Sequence, residues 1–215
     1  MIYIYKHSLT ILTLLGLLLC SSCTAFELPE ETGIILFQDD FSSPNSGWDR
    51  HQSDTYSADY ENGAYKIQVH QNEHEAWALP GLNFSDIIIE VTAKKMEGPE
   101  NNVFGILCRY QDPRNFYFFL ISSDGYAGIG YYHNGKRELL SGDSMLPFET
   151  ILQGSKSNDL KVHCVQDRLA LEVNGSLLYQ VHSDALEAGD VGLIAGSYGS
   201  RAVSVLFDDF FVRNP

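Results

Sequence analysis

Residues 102–136, NVFGILCRYQDPRNFYFFLISSDGYAGIGYYHNGK, constrain this chain more than any other stretch. Two turn-forming segments, Gln111-Asp112-Pro113-Arg114 and Ser122-Ser123-Asp124-Gly125, interrupt the apolar runs, and the third run ends at Asn134-Gly135. Asn-Gly readily adopts the two left-handed backbone positions of a two-residue hairpin turn. The spacing therefore predicts three consecutive antiparallel strands. The middle run, 116–121, is apolar or aromatic throughout. A strand with no polar face is covered on both sides and lies near the centre of a sheet, which points to a β-sandwich and not to an isolated hairpin.

The rest of the chain repeats the period. Tyr65, Ile67 and Val69 alternate with Lys66, Gln68 and His70, and Leu169, Leu171 and Val173 alternate with Ala170 and Glu172. This is the pattern of half-buried strands. Asn62-Gly63, Asp124-Gly125, Asn134-Gly135 and Asn174-Gly175 mark turns, Asp167-Arg168 marks another hairpin, and a last strand covers 203–212. No long amphipathic helix stands out. About twelve strands with short connections imply an all-β fold of two stacked antiparallel sheets.

The N-terminus reads as an export signal: Lys6, an apolar run over 9–20, then Ser21-Ser22-Cys23. Small residues before a cysteine resemble a bacterial lipoprotein box, which predicts a signal peptide at 1–22, lipidation of Cys23 and anchorage outside the cytoplasmic membrane. The position three before Cys23 is Cys20, where such boxes usually carry Leu. An ordinary secretory cut after Ala25 is the alternative. Residues 23–33 form an acidic tether, and 34–215 form one domain. The formal charge of −14 argues against nucleic acid as a partner, because phosphate contacts need Lys and Arg. It equally argues against a polybasic membrane patch. Cys108 and Cys164 both occupy apolar strand positions; an oxidising compartment permits a disulfide, and two buried thiols are the alternative.

Several segments together carry a resemblance. These are Asp39-Asp40-Phe41-Ser42 with Gly47-Trp48, Tyr60-Glu61-Asn62-Gly63-Ala64-Tyr65, and Gly105-Ile106-Leu107-Cys108-Arg109-Tyr110-Gln111-Asp112. They continue with Val173-Asn174-Gly175, Gly189-Asp190-Val191-Gly192-Leu193 and Phe207-Asp208-Asp209-Phe210. Over about residues 34–215 the chain resembles the concanavalin A-like lectin/glucanase superfamily, nearest its laminin-G-like and 3-keto-disaccharide hydrolase-like groups. The resemblance implies a jelly-roll sandwich. It leaves three functions open: a non-catalytic glycan-binding or adhesion module, a carbohydrate-active hydrolase or lyase, and a purely structural envelope protein.

Catalysis finds little support in the residues. A glycosidase needs two carboxylates flanking the sugar bond, and the superfamily's glucanases take them from an E-x-D-x-x-E or E-x-D-x-E strand that this chain lacks. His70-Gln71-Asn72-Glu73-His74 matches H-x-x-E-H, but that zinc motif requires a helix and the run follows a strand, so a polar loop is expected. Asn83-Phe84-Ser85 and Asn174-Gly175-Ser176 match glycosylation sequons, which a bacterial export signal makes uninformative. If first and last strands pair, Asp39, Asp40, Asp208 and Asp209 gather at one place and could hold a structural Ca²⁺. For a sugar, the expected register sets Arg109 opposite Phe116, and Phe116 opposite Tyr131. That places Arg109, Phe118 and Tyr131 on the concave face, with Trp77 contributing from a neighbouring strand. Cys108, Tyr110, Tyr117 and Phe119 then fall on the core face, and one bulge would exchange such assignments.

Overall fold

Asn-Gly turns organise the molecule as their backbone freedom allows. Asn62 and Gly63 have φ of 55° and 79°, Asn134 and Gly135 53° and 80°, and Asn174 and Gly175 51° and 77°. Two successive positive φ values define the turn whose twist matches that of paired strands, and each of these pairs closes a hairpin. The Asp167 hairpin turns one residue earlier than its sequence suggests, on Gln166 and Asp167, with Val165 paired to Arg168.

The computed structural model describes residues 33–199 and 202–215. The expected signal, Cys23 and the tether as far as residue 32 lie outside the described residues. In chain order the strands are β1 Ile35–Asp39, β2 His51–Gln52, β3 Tyr56–Glu61, β4 Ala64–Val69, β5 His74–Ala78, β6 Ile87–Glu97, β7 Asn102–Asp112 and β8 Asn115–Ile121. They continue as β9 Tyr126–His133, β10 Lys136–Leu139, β11 Leu146–Pro147, β12 Ser157–Val165, β13 Arg168–Val173, β14 Ser176–His182, β15 Asp190–Ser197 and β16 Val203–Arg213.

They form two antiparallel sheets. The nine-stranded sheet runs β14-β13-β12-β6-β16-β4-β3-β2, with β1 also on β16, and the seven-stranded sheet runs β10-β9-β8-β7-β15-β5, with β11 also on β9. The chain is thus an all-β, two-sheet antiparallel sandwich of the concanavalin A-like, jelly-roll type. First and last strands pair as expected, Gln38 with Phe211 and Asp39 with Phe210. The H-x-x-E-H run is the β4–β5 connection, and its last His opens β5.

The principal core lies between the sheets. Ile67, Ile89, Val162, Leu171, Val205 and Phe207 of the larger sheet meet Ile106, Tyr117, Phe119, Ile129 and Leu193 of the smaller. A disulfide between Cys108 on β7 and Cys164 on β12 crosses this core and ties the sheets together. At one end, Phe41, Trp48, Tyr65 and Phe210 pack with ring centroids 5.0–5.5 Å apart. This aromatic knot fixes the incoming chain to the last strand.

β8 sits inside the smaller sheet and is buried on both faces, as its composition demands. Its second face belongs to a smaller apolar cluster on the outer side of that sheet, formed by Val103, Leu107, Phe116, Phe118, Leu120 and Ile194. Among the described residues no further layer of strands covers this cluster. Trp77, Tyr110, Tyr132 and Leu139 of the sheet pack over it, together with Leu79 and Met145 from the connecting segments.

Candidate functional site

The outer face of the seven-stranded sheet is shaped by a bulge. Cys108 pairs with Tyr117 and Asp112 with Asn115, so residues 109–111 oppose the single residue Phe116. Arg109 carries the positive φ, 52°. Against β15 the same stretch holds one extra residue, with Leu107 opposite Gly192 and Tyr110 opposite Asp190. A single insertion exchanges the faces of the residues after it, and here it withdraws Arg109 and brings Tyr110 out. Arg109 is 2% exposed. Its guanidinium donates to the carbonyls of Ser85 (3.2 Å) and Leu186 (2.9 Å) and to Asp86 (3.3 Å). The expectation that Arg109 serves the ligand surface is therefore corrected: its donors clamp two loops to the end of β7.

Tyr131 is corrected for a related reason. The β8–β9 register differs by one residue from that expected, with Phe118 opposite Gly130 and Phe116 opposite Tyr132. Tyr131 consequently opposes Tyr117, packs on the principal core and donates to Glu138. Tyr132, for which the sequence set no place, stands on the outer face in the position expected for Tyr131. Phe118 does lie on that face but is fully buried, with the Arg137 guanidinium 4.6 Å above its ring. Trp77 also lies there, half-buried, with its ring 5.4 Å from Phe116 and 6.3 Å from Tyr110.

These rings form a continuous strip: Trp77, Tyr110, Phe116 and Tyr132, with successive centroids 6.3, 5.4 and 4.8 Å apart. Gly130 is required beneath it, because a Cβ there would overlap the Phe118 ring. A polar strap joins the two edges of this sheet beside the strip. The Glu75 carboxylate accepts hydrogen bonds from Tyr132 (3.2 Å), Arg137 (3.1 Å) and Tyr198 (2.6 Å), and its side chain is 7% exposed. Burial and the adjacent Glu75 push the Tyr132 hydroxyl up to about 12, and the same two causes raise Tyr198. Burial opposes the charge of Arg137, and Glu75 outweighs it, so the guanidinium is raised. The strap is thus a neutralised ion pair with two un-ionised phenols around it.

Beside the strap opens a cavity of about 360 Å³, within the range of about 300–1,000 Å³ usual for small-molecule sites. Arg137, Tyr198, Tyr126, Asp124, Asn101 and Met145 are on its wall. Tyr126 and Tyr198 are 39% and 36% exposed, among the more exposed large apolar-bodied side chains of the molecule. Asp124 is exposed and accepts a hydrogen bond from Ser122. The wall therefore offers two aromatic faces, guanidinium and amide donors, and a carboxylate acceptor. Aromatic faces with a few fixed polar groups are what a sugar needs, since its C–H face stacks on a ring while its hydroxyls both donate and accept.

Other acids are committed elsewhere. Asp39 turns inward, where its carboxylate accepts from the Phe41 N–H (2.8 Å) and from Ser46, and Asp40 accepts from Ser42. The β1–β16 pairing, with Asp39 opposite Phe210, brings the chain ends together, and burial, then Asp209 and Asp40, raise the carboxyl of Asp208. Among the described residues, however, no three His, Cys, Asp or Glu side chains are grouped to hold a metal ion. A groove of about 370 Å³ on the outer face of the larger sheet has Glu90 paired with Lys161 and Arg213, Glu172 with His163 and Asp159 with Thr92, while its fourth carboxylate, Asp209, is exposed.

The sequence held a signal for part of this site. Asn134-Gly135 sets Tyr132 opposite Arg137 across its hairpin, which identifies both as neighbours on one face. Nothing local marks Glu75 or Tyr198, which reach Arg137 only through the tertiary fold.

No protein-family model matches the chain, and no curated protein matches it. Solved structures do. The carbohydrate binding module CBM66 from Bacillus subtilis is similar with a TM-score of 0.62 and 16% identity, over 79% of this chain and 96% of that one. A Bacillus subtilis protein of unknown function with a galectin-like fold gives 0.61 and 13%, over 85% and 96%. The catalytic domain of an endo-1,3-beta-glucanase (laminarinase) from Thermotoga petrophila RKU-1 gives 0.57 and 11%, over 84% and 97%. At such identities the likeness establishes the fold: a galectin-like jelly roll of the concanavalin A-like type.

Proposed function

We propose that the protein is an exported, non-catalytic glycan-binding module, held at the cell envelope by a lipid on Cys23. The observation that carries the binding reading is the cavity beside the strap, where two exposed tyrosines, Tyr126 and Tyr198, flank Arg137, Asp124 and Asn101. Similar folds are described as a carbohydrate binding module and as a laminarinase, which supports a glycan as the ligand without specifying which. One exposed aromatic platform contributes about 0.5–1.5 kcal/mol. Single-site affinity is accordingly low, and firm attachment comes from many anchored copies acting together.

Hydrolysis is the second reading, favoured by the likeness to a catalytic domain. It needs two carboxylates about 5–9.5 Å apart across a sugar bond. Asp124 is on the cavity wall, but Glu75 behind it is held by three donors. This favours binding. A glycan array probed with the protein, with product analysis on every glycan that binds, separates the readings. Retention without cleavage supports the module, and released reducing sugar supports the hydrolase.

A further inference from the structure

The strap decides which part of a glycan can enter. In an open trough a polysaccharide could lie along the sheet and be gripped in mid-chain. Here the trough is occupied by Trp77, Tyr110, Phe116, Phe118 and Tyr132, and Glu75 on β5 is hydrogen-bonded across the sheet to Tyr132 on β9 and to Arg137 on β10, whose guanidinium lies 4.6 Å over Phe118. A chain crossing the sheet would have to break those bonds and strand a carboxylate whose side chain is 7% exposed. The space left is the pocket of about 360 Å³ against one side of the strap, which has the dimensions of a small-molecule site.

The charges define the ligand further. Arg137 is the cation on the wall, and Glu75 at 3.1 Å cancels it. Asp124 adds an exposed negative charge. Among the described residues the pocket is thus net negative, on a chain whose formal charge is −14. A carboxylated or sulfated sugar meets repulsion, whereas a neutral one can donate hydroxyls to Asp124 and accept from Arg137 and Asn101.

Resting on the glycan-binding reading above, we infer that the pocket takes the uncharged end of a glycan chain, excluding both chain interiors and acidic sugars.

The test is an array carrying four sets of probes: uncharged linear oligosaccharides with free ends, the same chains ended by glucuronate, sulfated chains, and uncharged cyclic oligosaccharides, which have no end. The full chain is applied at low and high salt, alongside Asp124→Asn and Glu75→Gln. The inference expects retention on the uncharged linear set alone, unchanged by salt. Asp124→Asn keeps the acceptor for Ser122 at an exposed position, so the fold persists, and it should raise binding to glucuronate-ended probes by about tenfold at low salt. Glu75→Gln should act in the same direction by freeing the charge of Arg137. Stronger wild-type binding to acidic probes, or equal binding to cyclic and linear ones, overturns the inference while leaving glycan binding standing. Absence of binding to every probe overturns the glycan-binding reading and the inference with it.

Discussion

Tyr132 and Glu75 are hydrogen-bonded at 3.2 Å although they stand on β9 and β5, four strand spacings apart in one sheet. At about 4.8 Å per spacing a flat sheet would separate their backbones by about 19 Å. The contact therefore requires a cupped sheet with both side chains leaning inward. Glu75 is the shared acceptor that keeps the cup closed. Glu75→Ala should lower the unfolding free energy by about 2–3 kcal/mol, since three donors lose one buried acceptor. The midpoint of thermal unfolding should fall by roughly 4–12 °C. An unchanged midpoint in calorimetry would show that the strap does not form.

The same contact makes the protein sensitive to alkali. Tyr132 titrates at about 12 when folded against 10.0 in its ordinary state. A raised value means that its contribution is fully present below pH 10 and is lost as pH rises towards 12, because the unfolded chain ionises first. The hydroxyl is about half-buried, and solvent screening reduces the effect to about 1 kcal/mol. The stability difference between wild type and Tyr132→Phe should be constant below pH 10 and should shrink between pH 10 and 12. Urea unfolding across that range measures it, and a difference that stays level through pH 12 contradicts the assignment.

The disulfide spans 56 residues of sequence, for which loop-closure entropy gives about 4 kcal/mol. Replacing both Cys108 and Cys164 by Ser should lower stability by about 2–5 kcal/mol, with a matching loss when the native protein is unfolded in reductant. Non-reducing peptide mapping should recover one linked peptide. Two freely alkylated thiols in denaturant would exclude the bridge.

Arg109 and Tyr126 should separate stability from binding. Arg109→Lys keeps the charge but loses the fork that reaches Ser85, Leu186 and Asp86, and should destabilise by about 3 kcal/mol. Tyr126→Ala, at a 39% exposed position, should leave stability within about 0.5 kcal/mol while weakening glycan binding by about 0.5–1.5 kcal/mol. Isothermal titration beside chemical unfolding reads both. The opposite pattern, with Arg109 affecting binding alone, would return Arg109 to the ligand surface.

The fold is legible in the sequence because its signals are local. Alternating apolar positions, Asn-Gly turns and the all-apolar run of β8 each state a geometric requirement within a few residues. The outer-face positions of Trp77 and Phe118 can be read for the same reason. Those of Arg109 and Tyr131 cannot. A bulge at 109–111 and a one-residue change of register around Ser122–Gly125 reverse which side chains face out, and neither alters the apolar pattern. Glu75, Arg137 and Tyr198 meet only because the sheet is cupped. That curvature belongs to the whole sheet, so no short segment records it.

β16 lies in the middle of the nine-stranded sheet, flanked by β6 on one side and by β4 and β1 on the other. It is also the last strand of the domain to leave the ribosome. Until residues 203–213 emerge, β4 and β6 lack their common neighbour and β1 has none, so the larger sheet exists only as two unjoined halves. Assembly is then a single late event governed by distant pairings, which fold slowly compared with local ones. A chain interrupted shortly before Val203 would lack the keystone of the sheet and stay open to proteolysis.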